Sequence, residues 1–322
     1  MGSTTGEHVT PGHAASSSRP GVWMTEAGLV AMALIWGVNY SVIKRAFEEI
    51  PPQPFNALRL IIASSVFLIA IRLARGRKTG VAASVFYTPN PLTTRDRWDL
   101  LWLGLVGHCG YQFFFVGGVD ATTVGNAALI IGATPVVVAV ASALLGREKI
   151  GPHHWLGAFI SLTGIYFVVG HGAEFGGGTF RGDLWIMVSV ACWAAYTIGA
   201  SRLIARHSPL YVTGMTMAIG GIPYVAITLS QFIAEDWGDV SLFTWVSLLA
   251  SALLALNVAY LIWYTGVQKI GPARTSMYSN LVPLFAMSVA ALWLGEPITD
   301  VKLLGAVLVL SGVVLTRLNA FR

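Results

Sequence analysis

Apolar residues in this chain run together in long blocks separated by short polar connectors, rather than alternating with polar ones along one face. Ten blocks can be marked, at about 25–46, 54–73, 98–118, 123–145, 154–170, 183–204, 210–233, 241–266, 272–294 and 300–317. About 20 apolar residues at 1.5 Å rise per residue cross roughly 30 Å of hydrocarbon. The pattern therefore predicts an all-α integral membrane protein with ten transmembrane helices. The connectors carry Gly, Pro and charge, as in Pro51-Pro52-Gln53-Pro54 and Gly176-Gly177-Gly178. Residues 1–24, rich in Ser, Thr, Gly and Pro and without an apolar core, read as a disordered cytoplasmic tail.

Composition agrees: 55% of the 322 residues are hydrophobic and only 11% are charged, against about 25% charged in a typical soluble domain. The net charge of +5 suggests nucleic acid only until its location is read. The basic residues flank the apolar blocks and form no basic domain, so no nucleic-acid partner is expected. With the amino terminus inside, fifteen Lys and Arg fall in inner segments, among them Arg72, Arg95, Arg97, Arg202, Arg206 and Lys269. Lys44, Arg45, Arg181 and Lys302 fall outside, and Arg59 lies within a span. This bias predicts both termini in the cytoplasm of a multi-pass plasma (inner) membrane protein. Cys109 and Cys192 lie inside apolar blocks and read as small buried hydrophobes. His153-His154 is not a zinc-binding H-E-x-x-H, and neither G-x-S-x-G nor a phosphate-loop sequence occurs, so no enzyme, metal or cofactor is expected.

The chain also repeats itself. Displacing residues 118–164 by 148 positions superposes Gly118-Val119 on Gly266-Val267, Pro135 on Pro283, Glu148 on Glu296, Leu156-Gly157-Ala158 on Leu304-Gly305-Ala306, and Gly164 on Gly312. Two consecutive five-span units, an odd number each, must enter the membrane in opposite senses. The division is 25–171 and 182–318. Glu148 and Glu296, each where a span ends, read as structural caps or ion pairs, with an ion-ligand role as the rival. The Gly157/Gly164 and Gly305/Gly312 pairs read as faces of close helix packing.

These residues also carry a family resemblance. The span bearing Pro135 with its Leu144-Leu145-Gly146-Arg147-Glu148 end, then Trp155-Leu156-Gly157 and Gly164, resembles the EamA repeat of drug/metabolite transporters. Pro283, Leu294-Gly295-Glu296-Pro297, Leu304-Gly305 and Gly312 form a second copy, and Trp36-Gly37-Val38-Asn39 is similar to an opening signature of such proteins. The resemblance covers about 25–318. It implies two inverted five-helix repeats carrying amino acids or other small metabolites, often outward.

Polar groups inside spans are expensive and therefore informative. His108, Tyr111, Gln112 and Phe115 occur at i, i+3, i+4 and i+7 in the third span; Asn257, Tyr260 and Tyr264 make a similar stripe in the eighth. Such faces are expected to line a central substrate cavity, reached also by Asn126 and Asn280. Trp36, Asn39 and Tyr40 in the first span and Trp193 and Tyr196 in the sixth are candidates for the same wall. Arg59 is expected to snorkel or pair with Glu48 or Glu49, with a substrate-carboxylate clamp as rival. His108 reads as a neutral hydrogen-bonding histidine, with proton binding as the rival, and because the first span holds no embedded carboxylate, facilitated or substrate-gradient-driven export stays open. Bends are expected at Pro135, Pro223 and Pro283 and at Gly132, Gly220 and Gly221.

The expected function is alternating-access transport of small polar or zwitterionic metabolites, such as amino acids, in the export direction. A passive pore or facilitative channel, and an exporter of drugs or purines, stay open. The expected partners are the lipid bilayer, a small-molecule substrate and, where an ion is coupled, protons, in a monomer or weak homodimer.

Overall fold

Local signals in the sequence set where the helices begin. Thr93 and Asp96 form a reciprocal capping box, Thr93 N–H to Asp96 Oδ2 at 2.9 Å and Asp96 N–H to Thr93 Oγ1 at 3.2 Å. Thr123, Ser208 and Ser241 accept from backbone N–H groups three residues on, at 3.2, 3.3 and 3.3 Å. Ser241 in turn donates its N–H and Oγ–H to Glu49 at 2.9 and 2.8 Å. Those two bonds hold the Glu49 carboxyl below the usual carboxylate range.

The computed structural model describes residues 19–74, 91–144, 152–170, 178–270, 275 and 278–317. The readings of the tail up to residue 18, of Arg147, Glu148 and Lys149, and of Gly176 and Gly177 lie outside these residues. The described residues are helical, without strands. In chain order the helices are α1 (Arg19–Ala46), α2 (Pro52–Ala74), α3 (Thr94–Ala121) and α4, made of Val124–Gly132 and Thr134–Leu144. They continue with α5 (Pro152–Gly170), α6 (Gly178–Ile204), α7 (Pro209–Ala234), α8 (Leu242–Ile270), α9 (Leu281–Trp293) and α10 (Asp300–Arg317). Six of them, α1 to α3 and α6 to α8, are long and apolar enough to cross a membrane, and shorter apolar stretches lie in α4, α5 and α9. One boundary moves: α1 begins at Arg19, inside the stretch read as tail, because Pro20 fits a first helical turn and nothing after it breaks the helix.

The most extensive packing joins the two halves of the chain. Helix α2 packs on α7 and α5 on α10, while α1 lies on α8 and α9 much as α6 lies on α3 and α4. Small residues permit these approaches. A Cβ on Gly312 would sit 2.5 Å from the Gly157 carbonyl oxygen, and one on Gly164 would sit 2.7 Å from the Val309 nitrogen. Both glycine pairs thus serve the α5–α10 contact.

The expected bends are met in part: Gly132 and Pro135 flank a break, and Pro223 does not make one. Helix α7 runs through Pro223 without interruption, whereas α4 breaks at Ala133 between Gly132 and Thr134. Two larger irregularities are π-helical turns, Leu105–Gly110 within α3 and Ser251–Val258 within α8. Each inserts an extra residue into the helical ladder at mid-length, which re-aims the side chains beyond it.

Glu296 caps a helix of the opposite half. Its Oε1 accepts from Val124 N–H at 2.7 Å and its Oε2 from Gly125 N–H at 3.1 Å, closing the first turn of α4, with Lys302 Nζ 4.0 Å away. Glu296→Ala is expected to lower stability by about 1 kcal/mol through the lost cap and charge–dipole contact. Glu296→Gln should lose less, because an amide oxygen still accepts. Thermal unfolding of detergent-purified protein checks the order of the two variants.

Candidate functional site

Between α1, α3, α6 and α8 the aromatic stripes of both halves close into one cluster. Trp36 meets Trp193 edge-on at 6.3 Å, Tyr260 edge-on at 5.7 Å and Trp263 at 5.7 Å between ring centroids. Trp193 also lies 5.1 Å from Tyr111, 5.7 Å from Tyr196 and 5.5 Å from Tyr260. Tyr111 stacks on Phe115 at 5.4 Å, and Phe115 meets Tyr40 edge-on at the same distance. His108 stands against Tyr196 and Tyr260 at 5.1 and 5.8 Å. Tyr264 completes the group beside Tyr196 and Tyr260, at 6.1 and 6.4 Å. Edge-to-face contacts of this kind add about 0.5–1.5 kcal/mol each beyond the area they bury.

The π-helical turns hold the polar members. His108 lies in the first turn and is fully buried, its Nε2 3.3 Å from the Tyr196 hydroxyl, which reaches Thr216 Oγ1 at 3.0 Å. The second turn supplies Ser251, which donates to Asn39 Oδ1 at 2.5 Å, and the Ala255 carbonyl, which accepts from Trp36 Nε1 at 3.0 Å. Asn257 donates to the Ala63 carbonyl of α2 at 2.9 Å. Polar atoms nevertheless remain unmatched: His108 Nδ1, Gln112 Oε1, Asn257 Oδ1, Trp263 Nε1 and the Tyr264 hydroxyl are buried and make no hydrogen bond. Several such groups in one packed cluster are more than a native interior normally tolerates.

Eight of the sequence candidates are joined by ring contacts: Trp36, Tyr40, His108, Tyr111, Trp193, Tyr196, Tyr260 and Tyr264. Gln112 reaches Tyr260 through its side chain, while Asn39 and Asn257 bond to Ser251 and to the Ala63 carbonyl. Asn126 stands apart, since its amide donates to Asp183 Oδ1 and Oδ2 at 3.4 and 3.3 Å. Asn280 precedes α9, and its Oδ1 is buried without a partner.

Sequence reasoning missed Asp183, a carboxylate only 1% exposed that also accepts from Thr122 Oγ1 at 2.5 Å. It stands at the first position of the sixth apolar block, 183–204. Trp263 was missed as well, although it lies three residues past Tyr260 on the same stripe.

The expectation for Arg59 fails. Arg59 is 1% exposed and does not snorkel. Glu48 pairs with Arg45 instead, and Glu49 caps Ser241. Both acids stand at the surface beyond the start of α2, whereas Arg59 lies about two turns inside it. The groups that interact with its charge are Tyr260, Tyr224 and Tyr111.

Comparison with known proteins gives this geometry a context. The profile of the EamA-like transporter family matches residues 23–170 and again residues 180–318. "Uncharacterized transporter YyaM" of Bacillus subtilis (strain 168) is 26% identical over 288 residues, 88% of this chain and 90% of that protein. "Uncharacterized transporter sll0355" of Synechocystis sp. is 26% identical over 302 residues, covering 89% of this chain and 88% of the relative. "WAT1-related protein At3g02690, chloroplastic" of Arabidopsis thaliana is 25% identical over 307 residues, 93% of this chain and 70% of its own. One crystal structure of a protein shares the fold, with a TM-score of 0.62 at 20% identity over 91% of this chain and 96% of the other.

Proposed function

Because the chain belongs to the EamA-like transporter family and is a multi-pass membrane protein rather than an enzyme, we propose that it is a secondary carrier working by alternating access. Its ten helices form two inverted five-helix repeats, and the solute is a small polar or zwitterionic metabolite moved outward across the plasma membrane. Both chain ends are cytoplasmic.

The observation that carries this reading is the ring and amide cluster, drawn from α1 and α3 of one half and α6 and α8 of the other. A site shared by two halves can be opened to one side or the other as the halves rock. The unmatched atoms of His108, Gln112, Asn257 and Tyr264 are hydrogen-bonding capacity that a bound solute would use. The reciprocal packing of α1 on α8 and α9 and of α6 on α3 and α4 supports the inversion. The paired π-helical turns supply compliant segments in the two helices that carry the stripes.

Counterflow tests the reading. Proteoliposomes preloaded with an unlabelled amino acid should transiently concentrate the labelled one above its outside level, and the initial rate should saturate. Flux that rises linearly with concentration and shows no overshoot for any amino acid of the set would identify a pore.

A further inference from the structure

Among the described residues Arg59 is a fully buried cation that meets no acid. Its Nε and Nη1 make no hydrogen bond, and its electrostatic neighbours are the phenols of Tyr260, Tyr224 and Tyr111. The carboxylates nearest in sequence are committed elsewhere, Glu48 to Arg45 and Glu49 to Ser241. The buried Asp183 is held by Thr122 and Asn126. A guanidinium so placed is expensive to hold within a span, and the fold gains no ion pair in return.

A planar fork with free N–H donors is the side chain best shaped to receive a carboxylate through two parallel hydrogen bonds. Two of its neighbours belong to the cluster, since Tyr111 stacks on Phe115 and Tyr260 packs on Trp36. The charge therefore stands at the edge of the rings. One guanidinium neutralises one negative charge, so a phosphate dianion would leave a net charge buried, which is strongly disfavoured.

We infer that Arg59 is the anchor for a carboxylate, and that the cargo is a small monocarboxylate whose apolar or aromatic body lies among the rings. An amino group, where the solute carries one, meets the free oxygens of Gln112 and Asn257. The inference rests on the carrier reading of the same cluster and narrows its substrate class.

Thermal unfolding of the full-length protein in detergent tests it, with matched probes: L-phenylalanine, 3-phenylpropionate and L-leucine against L-phenylalaninamide, phenethylamine and L-leucinamide. At least one acid should raise the unfolding temperature while its amide or amine counterpart does not. Arg59→Gln should bind that acid about 10- to 100-fold more weakly, the loss of a charged hydrogen-bonded pair. Ligand-free Arg59→Met should unfold above ligand-free wild type, because a buried charge without a partner is removed. The anchor is overturned if no acid stabilises the wild type, if amides and amines act as well as acids, or if Arg59→Gln binds the acid unchanged. It is overturned equally if Arg59→Met and Arg59→Gln both unfold below the ligand-free wild type, which would make the guanidinium structural. Counterflow of the same probes separates this outcome from the carrier reading. Amines exchanging where acids do not would remove the anchor and keep the carrier, whereas stabilisation by acids without exchange would keep the anchor and remove the carrier.

Discussion

Gly220→Ala is expected to yield little folded protein, although it adds a single methyl group to a helix. The new Cβ would lie 2.1 Å from the Gly104 carbonyl oxygen and 2.8 Å from both the Gly104 carbonyl carbon and His108 Cβ. The opposing residue is equally confined, because a Cβ on Gly104 would meet the Thr216 carbonyl oxygen at 2.9 Å and the Gly220 nitrogen at 3.1 Å. Here α3 and α7 cross backbone to backbone, so no side chain can turn away. Overpacking of a tight interior costs about 1–3 kcal/mol when side chains yield, and more when main chain must move. The neighbouring Gly221 is the control. Its Cβ would meet only Ser64 Oγ at 3.5 Å and Leu60 Cβ at 3.9 Å, which is ordinary contact, so Gly221→Ala should stay within about 0.5 kcal/mol of wild type or gain slightly from helix propensity. Size-exclusion chromatography and thermal unfolding in detergent compare the two. Equal behaviour of Gly220→Ala and Gly221→Ala would mean that the α3–α7 crossing is looser than described.

The contrast between those adjacent glycines marks the limit of what the sequence discloses. Blocks of apolar residues located the helices, because burying polar backbone in hydrocarbon leaves the helix as the simplest solution. Thr93, Thr123, Ser208 and Ser241 marked starts through local hydrogen bonds that need no tertiary partner. The repeat shift pairing Gly164 with Gly312 pointed to packing faces, and both residues do lie in the α5–α10 contact, Gly164 against Gly305 and Val309 and Gly312 against Gly157 and Ser161. By contrast, π-helical turns leave no residue signature in Leu105–Gly110 or Ser251–Val258, since they answer to neighbours far away in the chain. The stripes on α3 and α8 were legible from spacing, whereas their closure around Trp193 depends on which faces the two halves turn toward each other. Arg59 shows the same limit more sharply. Proximity in sequence suggested Glu48 and Glu49, but both acids found local partners, and the arginine was carried inward by the buried face of α2.

Trp193→Ala is expected to abolish solute exchange while leaving the protein in the membrane. Its indole is in ring contact with α1, α3 and α8 at once and with a ring of its own helix, through Trp36, Tyr111, Tyr260 and Tyr196. Removing the indole breaks four ring contacts worth about 0.5–1.5 kcal/mol each. The side chain is only half-buried, so the whole loss will not fall on folding. Part of it falls on the preorganised wall against which a solute packs, and binding should weaken at least about tenfold for each 1.4 kcal/mol so lost. Trp193→Phe keeps an aromatic face and the contacts to Tyr111 and Tyr196 that need only a ring, so it should retain measurable exchange with a raised half-saturation concentration. Counterflow in proteoliposomes reads both variants, with reconstituted protein equalised by immunoblot. Wild-type exchange by Trp193→Ala would show that the solute passes elsewhere and that the aromatic cluster is core packing.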